Sequence, residues 1–305
     1  MTALPCVVGT WPFSREPVIK AMQYLSNNSS AVDAVEAGVH VAEVDPSYGS
    51  HHIGCGGWQN SDFVLQLDAA IMDGTDLGFG AVTALAGFAE AISVARQVME
   101  KSPHSMLTGE GAAKFAMAQG FQFQENMGRH PKPQVVASGD KHACGHDTLG
   151  LLALDRQGNI CAGVSTSGIS GKLPGRVGDS ALPGCGLYAD SEAGAACCSG
   201  DGDEILKYCP SYKVVALLKQ GYSPQNACLA TVKEIMRRRR TRGVFQMVII
   251  ALDNKGNHGA ANIGVDSFKD EATGLQHAGF PFVTLSENMT EAKVICSLPI
   301  TEDQL

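Results

Sequence analysis

The sequence predicts an α/β fold on three observations. Several stretches carry apolar residues at helical spacing. Short apolar runs bounded by Gly, Asn and Asp read as strands. In both halves of the chain helices precede strands, an order that suits layered α/β packing. A hydrophobic content of 44% and a charged content of 18% fit a globular protein with a sizeable core. The 305 residues allow one or two domains at roughly 150 residues each.

The elements follow in chain order. A strand is expected at Cys6–Thr10, then helices over Glu16–Leu25 and Ser30–Glu43. Ser30 opens the second helix, and Asp33 three residues on completes a capping box. A strand near Ala69–Met72 precedes helices over Thr83–Lys101 and Glu110–Gln119. From Glu125 to Cys144 periodicity is lost and Pro131, Pro133 and several Lys and His residues appear, which predicts an exposed linker. After it come strands at Leu149–Leu154 and Ile160–Ser165, joined by a turn at Arg156–Asn159 that contains Gly158. Helices are expected over Ser211–Gln220 and Ser223–Arg238, the latter with Ser223 ahead of Pro224 at the first helical position. A final hairpin joins Phe245–Leu252 to His258–Ile263 through Asn254-Lys255-Gly256-Asn257.

Composition excludes several classes of function. The net charge of −8 argues against a nucleic-acid partner, and the run Arg237–Arg240 with Arg242 reads as a solvated helix end favoured by the helix dipole. No apolar run approaches the roughly 20 residues that span a bilayer. Met1 leads into Leu4–Thr10 without the basic start and apolar core of a secretory signal. The sequence as given therefore predicts a cytoplasmic protein, although a leader removed beforehand would leave the same sequence in a lysosomal or secreted one. The ten cysteines form no C-x-x-C and include the adjacent Cys197-Cys198, so they read as small buried hydrophobes in a reducing compartment. His142, Cys144 and His146 lack a fourth partner, so no metal is expected. Gly184-x-Gly186-x-x-Ala189 matches a dinucleotide fingerprint, but the segment before it reads as a loop where that fingerprint needs a strand, so no cofactor is expected either.

Chemistry concentrates near the midpoint, at Gly145-His146-Asp147-Thr148-Leu149-Gly150. Cutting the Asp147–Thr148 bond would make Thr148 an N-terminus, with its own α-amine as the base for its hydroxyl. Glycine-rich segments follow: Thr166-Ser167-Gly168, Gly175–Ser180, Pro183–Gly186 and Ser199–Gly202. Glycines let the backbone approach a ligand closely. The hydroxyls, Arg176 and Asp179 among them supply what a small zwitterion would bind.

The order His146-Asp147-Thr148, Ser165-Thr166-x-Gly168, Gly175-Arg176-Val177-Gly178-Asp179-Ser180, Pro183-Gly184-x-Gly186 and Ser199-Gly200-x-Gly202 resembles the glycosylasparaginase family. Thr10-Trp11-Pro12-Phe13, Ala31–Gly38 and Leu67–Gly74 agree with it, so that the resemblance runs from about residue 5 to 265. These are N-terminal-nucleophile hydrolases that cleave the amide between N-acetylglucosamine and asparagine. The resemblance implies a four-layer αββα sandwich, one domain cut into an α chain, 1–147 with its linker at about 125–147, and a β chain, 148–305. It implies Thr148 as nucleophile with Thr166 beside it, and an oxyanion hole made of Ser199 and Gly200. Arg176 would hold the substrate α-carboxylate, Asp179 the α-ammonium, and Trp11 would stand at the mouth of the site. No metal or cofactor is implied; the substrate would be a glycosylated asparagine and the assembly a dimer of cleaved units. Ser199 stands where the family has Thr, and His52 where secreted members have a Ser associated with self-cleavage. An L-asparaginase or isoaspartyl peptidase of the same fold, and an unprocessed homologue without turnover, remain alternatives.

Overall fold

The computed structural model describes residues 3–125, 127–129, 148–239 and 245–300. It is a mixed α/β protein built on two large sheets. The first sheet holds β1 (Cys6–Thr10), β2 (Leu67–Asp73), β3 (Phe79–Leu85), β4 (Met106–Thr108), β5 (Leu149–Leu154), β6 (Ile160–Thr166), β13 (Phe280–Ser286) and β14 (Lys293–Ser297). Their order is β14-β13-β1-β5-β6-β2-β3-β4, antiparallel throughout except between β3 and β4. The second sheet, in the order β10-β9-β8-β7, holds β7 (Leu187–Asp190), β8 (Gly194–Gly200), β9 (Met247–Asp253) and β10 (His258–Ile263). A small ribbon pairs β11 (Ser267–Lys269) with β12 (Gln276–Ala278).

Strands in this protein are apolar on both faces because each face meets a different core. Along β5, Leu152 and Leu154 enter a cluster shared with Ala195, Cys197, Val248 and Ile250 of the second sheet. Leu149, Leu151 and Ala153 of the same strand pack instead with α1 (Arg15–Ser26) and α2 (Ala31–Val44), through Val18, Leu25 and Val35. The period-two geometry of a strand enforces that split. It also explains the adjacent cysteines. Cys197 points into the cluster between the sheets, and Cys198 into the one under α6 (Pro210–Lys219) and α7 (Pro224–Arg239). The remaining helices are α3 (Ala91–Lys101), α4 (Gly109–Ala118) and the short α5 (Gly202–Ile205).

The expected caps are in place. Ser30 accepts from the Asp33 backbone N–H at 3.1 Å, and the Asp33 carboxylate accepts from Ser30 N–H in return. Ser223 Oγ accepts from Asn226 N–H at the start of α7. Three expectations fail for physical reasons. Thr83–Lys101 is not one helix: its first residues belong to β3, which pairs with β2, and α3 begins only at Ala91. Gly80 lets α3 lie against that strand, since a Cβ there would sit 2.1 Å from Ala95 O. The Gly-rich segments after Ser165, which read as loop in the sequence, are not all loop, because β7 and β8 form a hairpin among them. Leu187–Asp190 is thus a strand where a dinucleotide fingerprint requires a helix. Beyond Ile263 the sequence pattern gave no element, yet β13 pairs with β1 and completes the first sheet beside it. The linker around 130–147, His146 and Asp147 included, lies outside the described residues.

Two substitutions separate the contributions. Leu152→Ala, at a fully buried position between the sheets, should cost about 2–5 kcal/mol. Ser30→Ala should cost about 0.5–2 kcal/mol through the lost cap. Urea denaturation of both variants against the unaltered protein checks the ranking.

Candidate active site

Strand register brings the sequence-predicted residues together. Thr148 immediately precedes β5, in the middle of the first sheet, and is 4% exposed. Thr10, the last residue of β1, holds it from one side: its Oγ1 donates to Thr148 O at 2.7 Å and accepts from Gly150 N–H at 2.8 Å. On the other side Leu149 pairs with Ser165, which places Thr166 alongside Thr148 at the end of β6. Thr166 Oγ1 accepts from Gly168 N–H at 3.0 Å and tightens the turn that follows.

The second sheet delivers Ser199 and Gly200 at the end of β8. Gly150 allows the approach, since a Cβ on it would meet Cys197 Cβ at 2.8 Å. Trp11 Nε1–H donates to Ser199 Oγ at 2.9 Å. The resemblance implied a place for Trp11 at the mouth of the site. The residue is 4% exposed, has φ 63, and packs against Phe268 and Phe280 with ring centroids 5.0 and 4.9 Å away. Such a backbone conformation is costly for a bulky residue and persists only where surrounding structure enforces it. Here the indole is held at both its ring and its N–H. Trp11 thus meets the Ser199 hydroxyl from the interior of the protein.

A narrow cleft opens in front of these groups. Thr148, Thr166 and Gly200 line it together with Arg176 and Asp179. Arg176 is held by both oxygens of Asp203, Nη2 to Oδ2 at 2.9 Å and Nε to Oδ1 at 3.3 Å. The glycines around it leave room for its guanidinium. A Cβ on Gly168, Gly178 or Gly202 would stand 3.0 to 3.2 Å from its nitrogens. Asp179 is buried, and its Oδ2 has no hydrogen-bond partner. Burial pushes its pKa up to about 7, against the opposing pull of its own backbone N–H and of Arg176. A buried, half-satisfied carboxyl next to a cleft is a group awaiting a donor.

Sequence reasoning missed four supports of this site. Thr10 was seen only as part of a motif, and Asp203 not at all. Lys172 and Asp68 form a buried pair at 3.7 Å, each side chain 1% exposed, with Lys172 Nζ also donating to Gln66 O. Burial pushes the Asp68 carboxyl up and the Lys172 ammonium down. Nζ lies behind Gly168, 3.1 Å from where a Cβ would be. Glu43 is fully buried at the end of α2, where it accepts from Ile92 N–H at the start of α3 and from Ser165 Oγ at 2.5 Å. Burial raises its pKa to about 8. No local pattern signals these contacts, which arise from residues 27 to 140 positions apart. His52 is placed by two contacts: Nδ1 lies 2.7 Å from Gly168 O, and its own carbonyl accepts from Ser167 N–H at 2.6 Å. It supports the turn after Thr166. Among the described residues no group of three or more His, Cys, Asp or Glu is placed to hold a metal.

Asp179 generates a pH prediction. A carboxyl whose folded pKa lies above its unfolded value binds more protons when folded, so it costs stability as pH rises from about 4 to about 7. Asp179→Asn should abolish that loss. The check is denaturation of both proteins without ligand at pH 5 and pH 8: the variant should gain on the unaltered protein at the higher pH.

Comparison with known proteins bears on the same residues. A family model described as Asparaginase matches residues 13–129 and 122–272. A protein of Elizabethkingia miricola named N(4)-(Beta-N-acetylglucosaminyl)-L-asparaginase is 41% identical over 271 residues, 85% of this chain and 78% of its own length. A Mus musculus protein named N(4)-(beta-N-acetylglucosaminyl)-L-asparaginase is 35% identical over 332 residues, 96% of this chain and 92% of its own. A Rattus norvegicus protein of the same name is 34% identical, with the same coverage of both chains. The matched residues take in the cleft and the strands that carry it, and the chain accordingly belongs to the asparaginase family of amide hydrolases.

Proposed function

We propose that this enzyme hydrolyses the side-chain amide of asparagine substituted with N-acetylglucosamine, using Thr148 as an N-terminal nucleophile. The observation that carries the reading is the cleft itself, where Thr148 faces Arg176 and the unpartnered oxygen of Asp179. Those two groups match the α-carboxylate and α-ammonium of an amino acid whose side chain reaches toward Thr148. The names of the Elizabethkingia and mouse relatives support the sugar-bearing substrate.

Activation begins with self-cleavage. Thr148 Oγ attacks the carbonyl of Asp147, the peptide becomes an ester, and water releases chains 1–147 and 148–305. The freed α-amine of Thr148 is then the local base. It takes the hydroxyl proton as Oγ attacks the substrate's amide carbon, and it returns a proton to the departing glycosylamine. The negative oxygen rests on Ser199 Oγ–H and Gly200 N–H. A donor of this kind contributes about 3–4 kcal/mol, and Trp11 donates to the Ser199 oxygen. Water hydrolyses the aspartyl ester, and aspartate leaves. Thr166 lies beside the nucleophile, and Thr10 fixes the backbone on which it sits. The two large sheets, with helices packed on their outer faces, support reading the domain as an αββα sandwich of N-terminal-nucleophile type. The active species is a dimer of such cleaved units, as the family resemblance implies.

Two experiments test this reading. Purified protein should run as two pieces, of 147 residues and of 305 − 147 = 158 residues, the second beginning Thr-Leu-Gly-Leu-Leu. Thr148→Ala should stay intact and inactive; a normally cut Thr148→Ala chain would assign the cut to an external protease. The second experiment compares glycosylated asparagine, free asparagine and a β-aspartyl dipeptide side by side. Glycosylated asparagine should be preferred, and blocking its α-amine or α-carboxylate should abolish turnover. Arg176→Lys should raise KM, because one ammonium does not reproduce the planar fork. Preference for free asparagine or the dipeptide would move the activity to another member of the fold, and an uncut, inert protein would remove it.

A further inference from the structure

Cys185 and Cys209 lie far from each other in sequence and meet in space. Their Sγ atoms are 3.7 Å apart, in van der Waals contact. The Cys209 backbone N–H is directed at the Cys185 sulfur. The segments around them are tied on both sides of the contact. Ser211 Oγ donates to Cys185 O at 2.7 Å, and Tyr212 N–H donates to Gly184 O at 3.1 Å. The two residues differ in access: Cys185 is 6% exposed, whereas Cys209 is exposed. Cys209 also holds φ 47, ψ 51 at the start of α6, a left-handed conformation uncommon for a residue with a Cβ.

We propose that Cys185 and Cys209 form a covalent modification site, closed into an intramolecular disulfide by low-molecular-weight disulfides such as oxidised glutathione. The exposed thiol reacts first. The Cys209 thiolate attacks one sulfur of glutathione disulfide, forming a mixed disulfide and expelling one glutathione thiolate. Cys185 then gives up its proton to solvent base, and its sulfur attacks the Cys209 sulfur, expelling the second. Two protein thiols become one disulfide, and one glutathione disulfide becomes two glutathione thiols. The second step is the slow one. Burial, then the neighbouring Cys209, push the Cys185 thiol up to about 12, and attack requires the thiolate. Contact distance offsets this, because the attacking sulfur has no search to make.

The bond would enclose residues 186–208, which include β7, β8, Ser199, Gly200 and Asp203. It would also fasten the segment next to Gly186, whose N–H donates to Asp179 O at 3.0 Å. A disulfide that closes such a loop stabilises the fold, here around the cleft. The site exists whatever amide the cleft hydrolyses.

The test incubates the full purified protein with oxidised glutathione at mildly alkaline pH, blocks remaining thiols by alkylation and maps disulfides by mass spectrometry. The expected product is a Cys185–Cys209 cross-linked peptide, lighter by two hydrogens, released by reductant and accompanied by a raised thermal midpoint. Cys185→Ser should instead trap glutathione on Cys209, and Cys209→Ser should leave Cys185 reduced. Glutathione remaining on Cys209 of the unaltered protein, Cys209 pairing with a different cysteine, or both thiols staying open to alkylation would each overturn the proposal.

Discussion

The hydroxyl of Thr10 is the contact on which the site turns. By donating to Thr148 O and accepting from Gly150 N–H, it takes over the ladder where β1 ends and β5 begins. Thr148 is thereby fixed at the edge of regular structure, beside two strands buried along their whole length. A reacting group gains most when its support is rigid. The supports here are two cores that share one strand, so a displacement of Thr148 would have to repack both.

Electrostatics in the cleft is arranged by burial as much as by charge. Arg176 is already paired with Asp203, which fixes its fork before any ligand arrives. Asp179 is held deeper and lacks a partner for one oxygen. An amino-acid substrate would supply that partner, and it would relieve the burial cost as it binds. Lys172 and Asp68 stand behind the turn that carries Gly168, where neither reaches solvent. Removing one of such a pair leaves an uncompensated buried charge.

Much of this was legible in the sequence wherever function is written locally. The capping box of α2, the hairpin of β5 and β6, and the glycines that line Arg176 all carry short-range signals. The register of β5 on β6 then makes neighbours of Thr148 and Thr166 without further information. The misses have a common physical origin. Strand β8 reads Gly-Ala-Ala-Cys-Cys-Ser-Gly, with other elements packed closely on it, and it lacks the branched residues that mark a strand. Glu43 and Ser165 stand 122 residues apart, and their bond exists only once α2 lies on β6. The resemblance implied Trp11 at the mouth of the site; its burial and its bond to Ser199 are tertiary facts that a motif does not carry.

Strand order has a consequence for how the protein comes into being. Across the first sheet the halves on either side of residue 147 alternate: β14 and β13 from the second, β1 from the first, β5 and β6 from the second, then β2, β3 and β4 from the first. β1 has no neighbour from its own half. During synthesis the first half therefore cannot finish its sheet and waits, with apolar strand faces uncovered, until β5, β6 and β13 emerge. Once assembled, the halves interlock through three shared ladders. A break in the backbone at residue 147 would leave two polypeptides that cannot part without unfolding.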